Sequence, residues 1–212
     1  MTIRHHLTDA LLMGYAAGAL PEAFSLVAAA HVSLCDECRA RLAAFEAVGG
    51  AVVEETETAA MVEGSLAATL ARLGTVEPPA RAAPRAGLFP APLAGYVGGD
   101  LDAVKWRNLG MGVRQAILPT SHAASARLLY IPAGQAVPDH GHRGLELTLV
   151  LQGAFHDATS RFGPGDLEIA GEDLEHTPTA EPGAPCICLA ATDAPLRFTS
   201  LIPRLLQPIF RI

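Results

Sequence analysis

Two short stretches of this chain concentrate side chains able to hold a metal ion. The first is His31-Val-Ser-Leu-Cys35-Asp-Glu-Cys38, one imidazole and two thiols close together. His31 and Cys35 are four residues apart, so a continuing helix puts them on one face. Cys35 and Cys38 enclose a two-residue spacer, the usual chelating knuckle of a tetrahedral zinc site. A fourth ligand is needed. His5 and His6 stand just before the first helical stretch, and an antiparallel first helix would return that end toward the knuckle. His6 is preferred, although spacing does not separate the two. Two thiolates and two neutral imidazoles leave Zn2+ with no net charge, so the site can be buried. The plain alternatives are ordinary buried Cys and His, or a redox Cys-x-x-Cys.

The second stretch is Gly134-x5-His140-x-His142-x3-Glu146-x6-Gly153. His140 and His142 are two apart, so an extended chain points both to one face, and Glu146 shares their parity. A third imidazole must come from a distant strand. His176 is the best candidate, with His156 and His122 in reserve. Three His and one Glu suit a borderline divalent ion: zinc, manganese, iron or nickel, with zinc preferred. The plain alternative is a metal-free polar pocket. Cys186 and Cys188 flank Ile187 on an expected strand and share a face. They read as two small hydrophobes or as an oxidisable pair near the second metal. Their spacing is poor for a direct disulfide.

The elements that must position these groups change type along the chain. Thr8 is placed to cap a first helix, with Leu7 and Leu12 as its hydrophobic staple. Gly18 ends that helix, and Pro21-Glu22 begin a second one carrying Phe24, Val27 and His31. A third helix is expected to be capped by Asp36 and to kink or end at Gly49-Gly50. Leu66, Leu70 and Leu73 mark a fourth, stopping at Gly74. Residues 1–77 therefore form a small helical domain, too small to be comfortable on its apolar core alone. Residues 78–92 are a Pro-rich, semi-stiff linker. Residues 93–212 read as short β runs: 104–109, 113–118, 126–131, 146–151, 166–170, 186–191 and 196–201, with a closing strand or helix over 201–212. Many short strands with Gly/Pro turns indicate a sandwich or barrel.

Bulk properties narrow the function. The net charge is −7, but residues 1–77 carry four Arg against ten Asp and Glu, or −6. Such a surface is a poor partner for nucleic acid and a suitable one for a basic protein. No run of about 18 apolar residues is present to span a membrane, and no signal-peptide pattern opens the chain. A cytoplasmic, reduced protein is expected, in which paired Cys act as ligands or redox groups.

His31-x3-Cys35-x2-Cys38 after an upstream His resembles the zinc-binding anti-sigma domain. That resemblance implies a helical bundle with His6, His31, Cys35 and Cys38 as zinc ligands. The Gly134–Gly153 string resembles the first cupin motif, implying a double-stranded β-helix barrel. The second cupin motif is only partly present: Gly163-x-Gly165-Asp166 leads toward His176, but the usual Pro-x-Gly-x2-His spacing and closing Asn are absent. The pairing of the two domains resembles the ChrR-type anti-sigma factors. It implies a cytoplasmic, non-enzymatic regulator with zinc in its helical domain and a second divalent ion, His140, His142, Glu146 and His176, in its cupin. Its partner would be an extracytoplasmic-function sigma factor, bound 1:1, kept from RNA polymerase and released under photooxidative stress, typically singlet oxygen. The alternative is a metal-dependent cupin enzyme, a dioxygenase or isomerase, with a zinc-stabilised regulatory domain.

Overall fold

The computed structural model describes residues 2–73, 87–195 and 197–198. Among the described residues, five α-helices and twelve strands follow in that order. Helix α1 spans Asp9–Ala16, and Thr8 Oγ1 accepts a 3.3 Å hydrogen bond from Leu11 N at its start. Leu7 and Leu12, the expected staple, are both buried. Gly18 follows with φ +65°, a left-handed turn that favours glycine. Helix α2, Glu22–Leu34, starts behind Pro21. It is Ala-rich and buried along most of its length, at Ala23, Phe24, Leu26, Val27, Ala28, Ala30 and His31.

Helix α3 spans Asp36–Glu54 and departs from expectation at two places. Its cap is Cys35, whose Sγ accepts from Cys38 N at 3.4 Å, and Asp36 is the first helical residue. A sulfur that must sit at the helix start for another reason takes the capping position. Gly49-Gly50 does not end the helix, which continues to Glu54. Each glycine costs about 1 kcal/mol in a helix interior, which neighbouring good helix formers can absorb. Helix α4 is Ser65–Leu73; the expected stop at Gly74 and the linker over 78–86 lie outside the described residues. Helix α5, Ala91–Val97, was not legible in the Pro-rich sequence around it. Pro90 stands at its N-cap, where a missing N–H costs nothing, and Gly98 closes it at φ +78°.

The strands are β1 Arg107–Gly110, β2 Val113–Leu118, β3 Ser125–Ile131, β4 His140–Gly141, β5 Glu146–Gln152 and β6 Phe155–His156. They continue as β7 Arg161–Phe162, β8 Leu167–Ala170, β9 Glu175–His176, β10 Thr179–Ala180, β11 Cys186–Thr192 and β12 Arg197–Phe198. The strand expected from Val104 begins only at Arg107, because Leu101–Ala103 forms a 3-10 turn capped by Asp100. Of the runs expected over 196–201 and 201–212, only Arg197–Phe198 is described.

A six-stranded antiparallel sheet has the order β1-β2-β3-β11-β5-β8, and two three-stranded sheets have the orders β10-β6-β7 and β12-β4-β9. The alternation along each long strand gives the large sheet two different faces. One carries Leu128, Leu147, Leu149, Ile187 and Leu189, which join the α2 residues in a single apolar core. The other carries Ile131, Val150, Cys186 and Cys188, covered by Phe155, Phe162 and Ala180 of the first small sheet. The second small sheet pairs His140 with His176. The fold is a helical bundle followed by a cupin, with the bundle seated on the outer face of the cupin's large sheet.

Candidate metal centres

In the first centre, the ligand atoms of His6, His31, Cys35 and Cys38 all lie within 4.8 Å of one another. His31 comes from the last turn of α2 and both Cys from the start of α3, so one helix–turn–helix supplies three of the four. His31 Nε2 is 3.3 Å from Cys38 Sγ, and His6 Nδ1 is 3.3 Å from Cys35 Sγ. His6 and not His5 reaches the thiols. The outer edge of His6 faces Glu37, Nε2 to carboxylate oxygen 3.4 Å. A carboxylate behind a ligating imidazole fixes its orientation and raises its basicity. His31, Cys35 and Cys38 are buried. Burial lowers His31 to about 4, partly opposed by the Gly165 carbonyl, and burial pushes the Cys38 thiol up to about 11. Two imidazoles and two thiols are the donor set of a closed tetrahedral zinc site.

In the second centre, the ring nitrogens of His140, His142 and His176 lie within 4.8 Å of one another. All three rings are buried. The His140 Nδ1–H donates to the Pro138 carbonyl at 2.8 Å, leaving its Nε2 to point inward. His176 Nδ1 is 2.8 Å from Asp157 Oδ2 and 3.2 Å from Glu168 Oε1. His142 Nε2 and His176 Nε2 face each other at 3.3 Å, hydrogen-bond distance, and with a metal ion between the rings both could ligate it instead. Glu146 approaches from β5, 3.7 Å from His142 Nδ1, and accepts from Thr148 Oγ1. Burial lowers His140 and His142. Burial would lower His176 as well, but the Glu168 and Asp157 carboxylates push it up to about 9.

Asp157 and Glu168 were missed from sequence. They belong to no motif spacing; only the chain's return from β6 to β9 brings them behind His176. The reserves His122 and His156 are exposed and take no part in either cluster. Cys186 and Cys188 are free, buried thiols with sulfurs 3.5 Å apart. The Cys186 hydrogen bond and burial hold the Cys188 thiol well above its ordinary value. The register of β11 on β5 shifts between Ile187 and Cys188, a bulge at the pair itself.

The two centres are joined by direct contacts between the domains. Arg4 N and His5 N both donate to Asp166 Oδ1, at 2.6 and 3.0 Å. Leu167 N donates to the His5 carbonyl at 3.2 Å. Farther along the interface, the Glu22 carboxylate accepts from Tyr96 Oη and from Ser121 N, both at 2.7 Å.

Residues 95–195 match the family described as the ChrR cupin-like domain. The whole chain is 68% identical to the anti-sigma-E factor ChrR of Cereibacter sphaeroides strain ATCC 17023, over the full length of both. The chain belongs to the ChrR family of anti-sigma factors. It also superposes on the ChrR chain solved in complex with SigE of Rhodobacter sphaeroides, with TM-score 0.82 and 66% identity, covering 91% of this chain and all of that one. A ChrR-family chain is a regulator and not an enzyme, which sets aside the dioxygenase or isomerase alternative. Among the described residues, no helix is long and apolar enough to cross a membrane.

Proposed function

We propose that this chain binds a sigma factor of the extracytoplasmic-function class one to one in the cytoplasm and keeps it from RNA polymerase. Release follows photooxidative damage, typically by singlet oxygen, registered in the cupin domain. The observation that carries the binding half is the surface of α3 and α4 in a ChrR-family chain. Val48, Val52, Val53, Leu66, Leu70 and Leu73 are all exposed, as are Met61 and Val62 between the helices. So much unpartnered apolar surface on a small helical unit is unusual for a monomer and fits a protein partner. The acidic balance of residues 1–77 suits a partner with basic, DNA-binding surfaces and not DNA itself.

His6, His31, Cys35 and Cys38 would hold a structural zinc ion with no position left open. Binding energy of such an ion is folding energy, on the order of 10 kcal/mol or more in small zinc units. That contribution offsets the poor core of a short Ala-rich bundle. His140, His142, Glu146 and His176 would hold the second divalent ion, with zinc the preferred choice. The ion would supply a fixed positive charge beside three imidazoles that photooxidation attacks. Asp157 and Glu168 orient His176 and balance that charge. Cys186 and Cys188, close behind, are a further oxidisable element of the same interior.

A tagged pull-down from unstressed native cells, with mass spectrometry of the bound proteins, tests the reading. A small sigma factor in equal amount is expected, and its loss in Cys35→Ala or Cys38→Ala. Absence of any sigma factor from unstressed cells would overturn it.

A further inference from the structure

Three of the four ligands at the first centre are placed by their own local structure, within residues 31–38. His6 is different. It belongs to a segment before α1 with no helix or strand of its own. The backbone immediately before it is held by the cupin domain. Asp166 Oδ1 takes the N–H groups of Arg4 and His5, and the Leu167 N–H takes the His5 carbonyl. Both backbone polar groups of the residue next to the ligand are thus fixed from across the interface. Asp166 is itself anchored, since its Oδ2 accepts from Gly163 N at 2.8 Å. The turn is shaped for close approach: Gly165 has φ +86°, and a Cβ there would lie 2.7 Å from the Ile3 side chain. The His5 ring packs at a tilt against Phe162, centroids 4.4 Å apart, and its Nε2 meets Ser160 Oγ at 2.9 Å.

Ser160 leads to the second centre. Asp157 Oδ1 accepts from Ser160 N at 2.9 Å and from Thr159 N at 2.7 Å, while its Oδ2 bonds His176 Nδ1 at 2.8 Å. A continuous run of bonded groups therefore goes from His176 through Asp157 and Ser160 to His5, the neighbour of His6.

We propose that residues 3–6 form a strap by which the cupin positions the ligand His6, with Asp166, Ser160 and His5 as positioning residues. The strap rests on the zinc reading of the first cluster. It makes the firmness of that site depend on the state of the cupin interior, and by linkage the dependence is mutual. Damage at His176 that displaces Asp157 slackens the 157–160 turn, frees His5, and lets His6 leave the ion. The sigma-binding unit then loses a ligand without being oxidised itself.

The test uses the full-length protein loaded with cobalt(II). Its thiolate-to-metal absorption reports only the Cys-containing site. The protein is challenged with excess EDTA, and loss of that band is timed. Loss of a partner that orients a metal ligand costs about 10–100-fold in metal affinity. Asp166→Ala is expected to release the ion about tenfold faster, near the low end of that range. His5→Ala, which leaves the Gly163–Asp166 turn intact, is expected to release it severalfold faster. Asp157→Asn, remote from the thiols, should accelerate release too, and its effect should not add to that of His5→Ala. Release at the wild-type rate in folded Asp166→Ala and His5→Ala would overturn the strap. A wild-type protein with no thiolate band would overturn the zinc reading itself, a distinct outcome.

Discussion

Single residues carry much of what the sequence says about the cupin. Gly153 closes the first cupin motif, and the structure shows why a glycine stands there. Its φ is +69°, and a Cβ would lie 2.6 Å from the Pro185 carbonyl oxygen and 3.0 Å from Cys186 Cα. Both obstacles are backbone and cannot swing aside. Gly153→Ala should therefore lower stability by about 2 kcal/mol or more, combining left-handed strain with displacement of β11. Urea unfolding of the metal-loaded protein measures it, and a loss under half a kcal/mol would contradict the argument. The approach of His140 to His142 was legible because their two-residue spacing matches a strand's period, whereas Glu146 begins the next strand, β5, and is not in the group whose ligand atoms converge. His176 was only partly legible, through the incomplete second motif Gly163-x-Gly165-Asp166, since nothing local ties residue 176 to residue 140. The β4–β9 pairing that joins them is two residues long, below what periodicity can register.

Among the elements, α2 is the one around which both domains pack. It carries His31 at one end and Glu22 at the other, and it touches α1, α3, α5 and the sheet strands β3, β5 and β11. Its alanines let neighbours come close on several sides; Ala23, Ala28 and Ala30 have no exposed surface. Ala28→Leu should overpack this site and lower stability by about 1–3 kcal/mol. The matching loss should appear in thermal unfolding of the zinc-loaded protein. Conversely, an equal or higher midpoint would mean that α2 has slack against the sheet. From sequence, α1 and α2 were legible through Thr8, Gly18 and Pro21. The cap of α3 was misassigned because Asp36 is the better N-cap by type, while metal-site geometry gives that position to Cys35. Helix α5 was hidden because Pro90 and Pro92 look like linker, yet proline at a helix start is compatible with the fold.

At the scale of the molecule, the two domains are bound together by residues far apart in sequence, and no spacing rule foretells that. Asp166 and Arg4 are 162 positions apart, and Ser121 and Glu22 are 99. The expected picture of two units on a stiff linker therefore understates the coupling, since the bundle shares one apolar core with the cupin sheet. Removal of the cupin separates binding from response. Residues 1–85 keep all four ligands of the first centre and the exposed apolar face of α3 and α4 but lose the strap on His6, so with zinc supplied in excess they should still hold the sigma factor. They lose the second centre and the surface that covers α2, so they should unfold at lower temperature and retain the sigma factor when the full chain lets go. Sigma-dependent transcription in cells illuminated with a photosensitiser measures this. Full chain gives induction; residues 1–85 give constant repression. Induction by the short form would place the sensor in the bundle, and loss of repression would show that the cupin is part of the grip on the partner.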